Sequence, residues 1–191
     1  MATLLLAPGA PAPEAACLSF VASLAVHEAV CSWVDPETVS VKWPNDVLVR
    51  GRKVSGILLE SASNAEGPLL PWLAVGIGIN LAHAPAIANY PATYINDHAN
   101  APDAQTALSV LAMTWERHFN LWQSEGFEPI RQAWLSVAAG LEEKIEVRLA
   151  QETLSGIFES VMHDGALQLR LPTGEKRAIT AGEVFFPAKE S

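Results

Sequence analysis

A chain of 191 residues, half of them hydrophobic and 17% charged, can bury the core of one domain, or of one domain with a small appendage; it is not the composition of a disordered segment. A net charge of −9 with no block of Lys or Arg excludes a nucleic-acid binder that works by neutralising phosphates, and implies no more than a well-solvated acidic surface. Cys17 and Cys31 lack metal-type spacing and read as buried free thiols of a reducing compartment.

Thr3 to Leu6 reads as a buried strand that begins almost at the first residue. It lacks a basic leader and is too short for a signal peptide; no stretch is expected to reach the length of a membrane span, so the default location is cytoplasmic. Pro8, Pro11 and Pro13 mark a loop. From Glu14 to Trp33 a single helix is expected, apolar nearly all round with a polar stripe of Ser19, Ser23 and His27, and so buried against a sheet. His27 on that stripe reads as an edge histidine, since nothing nearby pairs with it.

Val39, Val41 and Trp43 alternate with Ser40 and Lys42 in a strand that Pro44 stops; Asn45-Asp46 then supplies a turn. Val47 to Val49 and Val54 to Glu60, across Arg50-Gly51, read as a hairpin. On the next strand Leu73, Val75, Ile77 and Ile79 share one face, and Ala74, Gly76, Gly78 and Asn80 the other. Two glycines on one face mark either close approach of a ligand or tight packing of a helix on the sheet. The segment from His83 to Asp103 is expected to be a long surface loop. Leu108, Leu111, Ala112, Trp115, Phe119 and Trp122 follow helical spacing to a break at Gly126, and Ile130, Ala133, Trp134 and Val137 begin a further helix that ends near Gly140. Short alternating strands then follow, with turns at Asp164-Gly165 and Thr173-Gly174, as in a small β-barrel or sandwich.

Several chemistries lack their residues. Gly76-x-Gly78 has no third glycine of a dinucleotide fingerprint, and there is no Walker loop, no G-x-S-x-G elbow and no H-E-x-x-H. Asp46 and Glu60 form a carboxylate pair for sugar chemistry in name only. Lys42, Asp46 and Lys53 are more suggestive. Joining a carboxylate to an ATP phosphate brings two anions together, and lysines supply fixed positive charge where it builds up. The alternative for each lysine is an exposed charge at a strand end.

Lys42-Trp43-Pro44-Asn45-Asp46, then Lys53-x-x-Gly56-Ile57-Leu58-x-Glu60, then Gly76-Ile77-Gly78-Ile79-Asn80 resembles the biotin–protein ligases in order and spacing. The tail through Ile179-Thr180-Ala181-Gly182-Glu183-Val184 resembles that family's C-terminal β-domain, so the likeness covers nearly the whole chain. It implies an α+β fold: a mixed sheet with packed helices over residues 1–140, and a small SH3-like β-barrel over 141–191. It implies ATP-dependent formation of biotinyl-5'-AMP and transfer of biotin to one lysine of a biotin carboxyl carrier protein domain in a biotin-dependent carboxylase. Biotin and ATP are then substrates, with Mg²⁺; no nucleic acid or membrane is engaged, and a homodimer is allowed. The catalytic residues implied are Lys53, Asp46 and Lys42. Lys53, Gly56, Ile57, Leu58, Gly76 and Gly78 would bind biotin, and Asn45, Lys53 and Asn80 the nucleotide; no metal ligand is implied.

The resemblance also requires Lys53 to lie in a turn or bulge, because in a regular strand it would face away from Gly56. The family's Ser-Thr-Asn biotin segment, and its Gly/Arg-rich loop with a following tryptophan, have no counterpart in these residues, nor does the helix-turn-helix domain of some members. The expectation is a ligase lacking its N-terminal part. The alternatives are an inactive ligase-like binding module and, on the same fold, a relative of the lipoate ligases and octanoyltransferases.

Overall fold

Strand β1 (Ala2–Leu6) opens the chain, and Pro11 then leads into the short helix α1 (Ala12–Ala16). The computed structural model describes residues 1–62, 67–85 and 91–187. Helix α2 (Leu18–Cys31) follows after a break at Cys17, so the expected single helix is two, with the cysteines at the two ends of α2. Residues 12–31 are long and apolar enough to cross a membrane by length and composition, contrary to expectation. Their apolar character is used in the core: Leu18, Val21, Ala22, Ala25, Val26 and Val30 are fully buried.

Strands β2 (Val39–Lys42), β3 (Asp46–Val49), β4 (Arg52–Ser61) and β5 (Leu73–Ile79) complete a sheet of order β1-β5-β4-β3-β2. Every pairing in it is antiparallel, which replaces the mixed sheet expected; parallel contacts are isolated bridges such as Lys53 with Ala92. The cause is connectivity: short turns join β2 to β3 and β3 to β4, and the second turn uses left-handed Arg50 and Gly51. Val41, Val47, Val49, Ile57, Val75 and Ile77 turn one face into the core under α2. The opposite face carries Thr3, Leu5, Gly56, Leu58, Ala74, Gly76 and Gly78 and has no helix on it among the described residues. Leu5, 74% exposed on the edge strand, corrects the reading of β1 as wholly buried.

Helix α3 (Ala104–Glu125) is capped by the Asp103 carboxylate, which accepts from the Thr106 N–H. Its buried side is Ala107, Leu111, Thr114, Trp115 and Trp122; Leu108 and Ala112, which share the apolar helical spacing, face out. Gly126, left-handed, separates it from α4 (Phe127–Ser136). Between β5 and α3, Thr93 and Ile95 are buried, so this stretch is not all surface loop; the part at 86–90 lies outside the described residues.

Strands β6 (Lys144–Arg148), β7 (Thr153–Val161), β8 (Leu167–Arg170), β9 (Lys176–Ile179) and β10 (Glu183–Phe185) form a second antiparallel sheet of order β10-β6-β7-β8-β9. No strand pairing joins β10 to β9 among the described residues. Phe20 on α2, Trp134 on α4 and Phe158 on β7 meet edge to face at 5.2 and 6.4 Å, so the two sheets share one core.

Candidate active site

The registers of β2 to β5 place Lys42 opposite Asp46, Asp46 opposite Gly56, and Gly56 opposite Gly78. Directly opposed residues of antiparallel strands share a face, so these four form one row across the open side of the sheet. Lys53 joins them through a bulge. Val47 pairs with Ser55 and Leu48 with Lys53, which leaves Val54 as the extra residue and turns Lys53 to the face of Gly56.

Asp46 is the hub. Its Oδ1 lies 2.5 Å from Lys53 Nζ and its Oδ2 3.3 Å from Lys42 Nζ. Lys42 and Asp46 are 5% and 6% exposed, whereas the Lys53 side chain keeps 30% of its surface. One carboxylate lies between two ammonium groups, and the accessible one is Lys53. Beyond Lys53, towards β10, lies a cleft of ≈ 200 Å³ with Lys42, Leu48, Val184, Phe185 and Phe186 in its wall.

On the other side of Lys53 the sheet is bare. A Cβ built on Gly76 or Gly78 would meet nothing closer than 3.6 Å, so packing among the described residues demands neither glycine. That favours the ligand reading over tight helix packing. A Cβ on Gly56 would come within 3.1 Å of Lys53 Cε and Nζ. Leu58, 60% exposed, flanks this floor, while the Ile57 side chain belongs to the core and leaves only its backbone on the site side.

The two asparagines are tied to backbone. Asn45 donates from Nδ2 to Ile57 O at 2.6 Å and accepts from the Ile57 N–H through its own carbonyl at 3.0 Å, which locks the turn after Pro44 to β4. Asn80 donates from Nδ2 to Thr93 O at 2.9 Å, so its offer to a ligand is an acceptor oxygen. The Lys53 N–H donates to Pro91 O, and Lys53 O accepts from the Thr93 N–H, both at 2.9 Å, so residues 91–93 cover the edge of β4 past the end of β5.

Sequence reasoning missed several contributors. Arg52 donates to Asp97 at 2.8 Å and Thr93 lies 3.3 Å from the same carboxylate, holding the 91–97 segment beside Lys53. Val184 O accepts from Lys42 Nζ at 3.3 Å. Burial raises the pKa of its neighbour Glu183, while the Lys42 and Lys53 charges lower it. None has a local signature, since each contact joins segments far apart in the chain. No group of three His, Cys, Asp or Glu side chains fit to hold a metal occurs among the described residues.

The family model of the biotin/lipoate A/B protein ligase family matches residues 1–136, and that of the biotin protein ligase C-terminal domain matches 140–186. The biotin–[acetyl-CoA-carboxylase] ligase of Paracoccus denitrificans is 44% identical, across 96% of this chain and 78% of its own length. Its Mycobacterium tuberculosis namesake is 31% identical, across 87% and 61%. The Aquifex aeolicus biotin protein ligase in complex with biotin and ATP superposes with a TM-score of 0.77 at 24% identity, across 96% and 75%, and so shares the fold. The chain belongs to the biotin/lipoate A/B protein ligase family.

Proposed function

We propose that this protein attaches biotin to a lysine of a biotin carboxyl carrier protein domain by way of biotinyl-5'-AMP. The observation that carries the reading is an accessible ammonium, Lys53, standing between a bare glycine floor and a second, lysine-lined cleft. Similarity to ligases of that name supports the reaction, and favours biotin over lipoate.

Biotin lies on Gly56, Gly76 and Gly78 beside Leu58, with its carboxylate towards Lys53. The ATP α-phosphate meets the same ammonium, so one fixed charge offsets the repulsion between the two anions. The carboxylate oxygen attacks phosphorus, the mixed anhydride forms and pyrophosphate leaves. Lys42 supplies further positive charge on the leaving side, and Asn80 turns its amide oxygen to the base. In the second step the acceptor amine attacks the biotinyl carbonyl, an amide forms and AMP departs. Asp46 holds both lysines in position and, through Lys53, orients the reacting groups while the acceptor's proton leaves with the departing AMP or solvent. Magnesium would come with ATP, since Asp46 is occupied by two lysines and no group of three His, Cys, Asp or Glu fit to hold it occurs among the described residues. Residues 1–140 form the catalytic domain and 141–191 the C-terminal domain. Two free thiols suit the reducing cytoplasm.

Binding is the direct test, with biotin and a non-hydrolysable biotinyl-adenylate analogue as ligands. The wild-type chain is expected to prefer the analogue. Lys53→Ala should lose about 1.5–3 kcal/mol of that preference, roughly 10- to 150-fold, the range for a hydrogen bond to a charged group. A chain that binds neither ligand, or an alanine variant that keeps the full preference, overturns the proposal. Transfer from prepared biotinyl-AMP to a carrier domain, but not to one with its acceptor lysine replaced by arginine, checks the second step.

A further inference from the structure

Successive residues of β2 and its turn grip the C-terminal sheet at two separate points. Lys42 donates from Nζ to Val184 O on β10, and Trp43 donates from Nε1 to Gly165 O in the β7–β8 turn at 3.0 Å. Trp43 is buried, and it stands between the lysine that binds Asp46 and the turn that carries Asn45.

The turn it holds is well fixed. The Gly165 N–H donates to Met162 O at 3.0 Å, and the Ala166 N–H to Asp164 Oδ1 at 3.0 Å. Gly165 is left-handed at φ 83°, and a Cβ there would come within 3.0 Å of the Phe20 ring. The turn is therefore seated against α2 as closely as a glycine allows.

The two grips are coupled through backbone. The β7–β8 turn belongs to the ladder that runs from β7 through β6 to β10, which carries Val184. A displacement of the turn would be carried along this ladder to Val184 O, one of the acceptors that hold the Lys42 ammonium. Lys42 sits on Asp46 Oδ2 and Lys53 on Oδ1, so a Lys42 ammonium drawn further onto the carboxylate would weaken its hold on Lys53.

We infer that Trp43 is a positioning residue: its indole N–H anchors the β7–β8 turn, so that Val184 O of the C-terminal sheet shares the Lys42 ammonium with Asp46 and Lys53 stays in place for the phosphate. The inference rests on the function proposed above and assigns to the C-terminal sheet a part in setting the charge at the site.

The test compares affinities for biotin and for the biotinyl-adenylate analogue in the wild type, in Trp43→Phe, which keeps an aromatic ring without the N–H, and in Gly165→Ala, which pushes the same turn from the α2 side. Each variant is expected to lose about tenfold of the preference for the analogue while its biotin affinity stays within about twofold, as for one lost hydrogen bond in a charged network. The double variant should lose no more than the worse single one, since both act on one contact. A purely structural role would lower the thermal midpoint and weaken both ligands by the same factor; that result overturns the inference, as does an unchanged preference in Trp43→Phe. If Trp43→Phe does not fold, Gly165→Ala alone decides by the same criterion. A wild-type chain with no preference for the analogue overturns the proposed function and this inference together, whereas a preference that the variants retain overturns only the latch.

Discussion

Gly56 sits where the Lys53 side chain must cross the strand, and a methyl group there would come 3.1 Å from Cε and Nζ. The residue is not in the left-handed region, so alanine fits its backbone. The lysine tip is partly exposed and can swing aside. Gly56→Ala should therefore leave thermal stability unchanged or raise it by about 0.4–1 kcal/mol, through a less disordered unfolded chain. It should at the same time move the ammonium and abolish the preference for the adenylate analogue. A thermal melt and a binding titration on one sample check both halves, and a parallel loss of stability and binding would contradict the argument. Of the residues named from sequence, Lys42, Asp46, Lys53, Gly56 and Gly78 do meet on one face. The exposed side chain of Leu58 and the core side chain of Ile57 also follow from alternation along β4. The amides of Asn45 and Asn80 were legible as polar groups near the site, but not as ties to Ile57 and Thr93, because those partners come from other segments.

At the scale of elements, the joint between α4 and β7 is electrostatic at its rim. Arg131 donates to Glu128 at 2.7 and 2.8 Å and reaches Val161 O at 2.9 Å. Its guanidinium, with Gln132 and His163, holds the Glu128 carboxyl at about 2, below its ordinary 4.5. A carboxyl depressed by folding contributes stability that is present above its unfolded pKa and is lost as pH falls through the folded one. The thermal midpoint should therefore drop between pH 4.5 and about 2, and Glu128→Gln should flatten that part of the profile while already sitting lower at neutral pH. Profiles of equal slope would remove Glu128 from the account. Element type and order were readable from periodicity across β2 to β5 and α3. The break at Cys17 was not, since residues on both sides are apolar and no glycine or proline marks it. Nor was the outward turn of Leu108 and Ala112, since a helix packed on one side by α2 buries a narrower stripe than its apolar content indicates.

Across the whole molecule, Trp134 is the keystone. Fully buried, it touches Phe20 and Phe158, and its indole N–H donates to Ser23 Oγ at 3.0 Å. Trp134→Ala should destabilise the protein by about 3–5 kcal/mol, as for other large-to-small core changes. It should do so for both sheets at once, seen as a single lowered transition in calorimetry. Two separate transitions in the wild type would show that the sheets do not share a core. The sequence marked the change of character after Gly140, where helical spacing gives way to short strands, but not this joint, which needs side chains far apart in the chain to be brought into contact.

The row from Lys42 to Gly78 crosses four adjacent strands, and neighbouring strands lie about 4.8 Å apart. Its length of roughly 14 Å is thus set by backbone hydrogen bonds, not by rotamers. Side chains along it can change over evolutionary time while the interval between bare floor and fixed charge stays constant. The sheet is in that sense a ruler: it fixes the interval between the strand that carries Lys42 and the bare floor at Gly78.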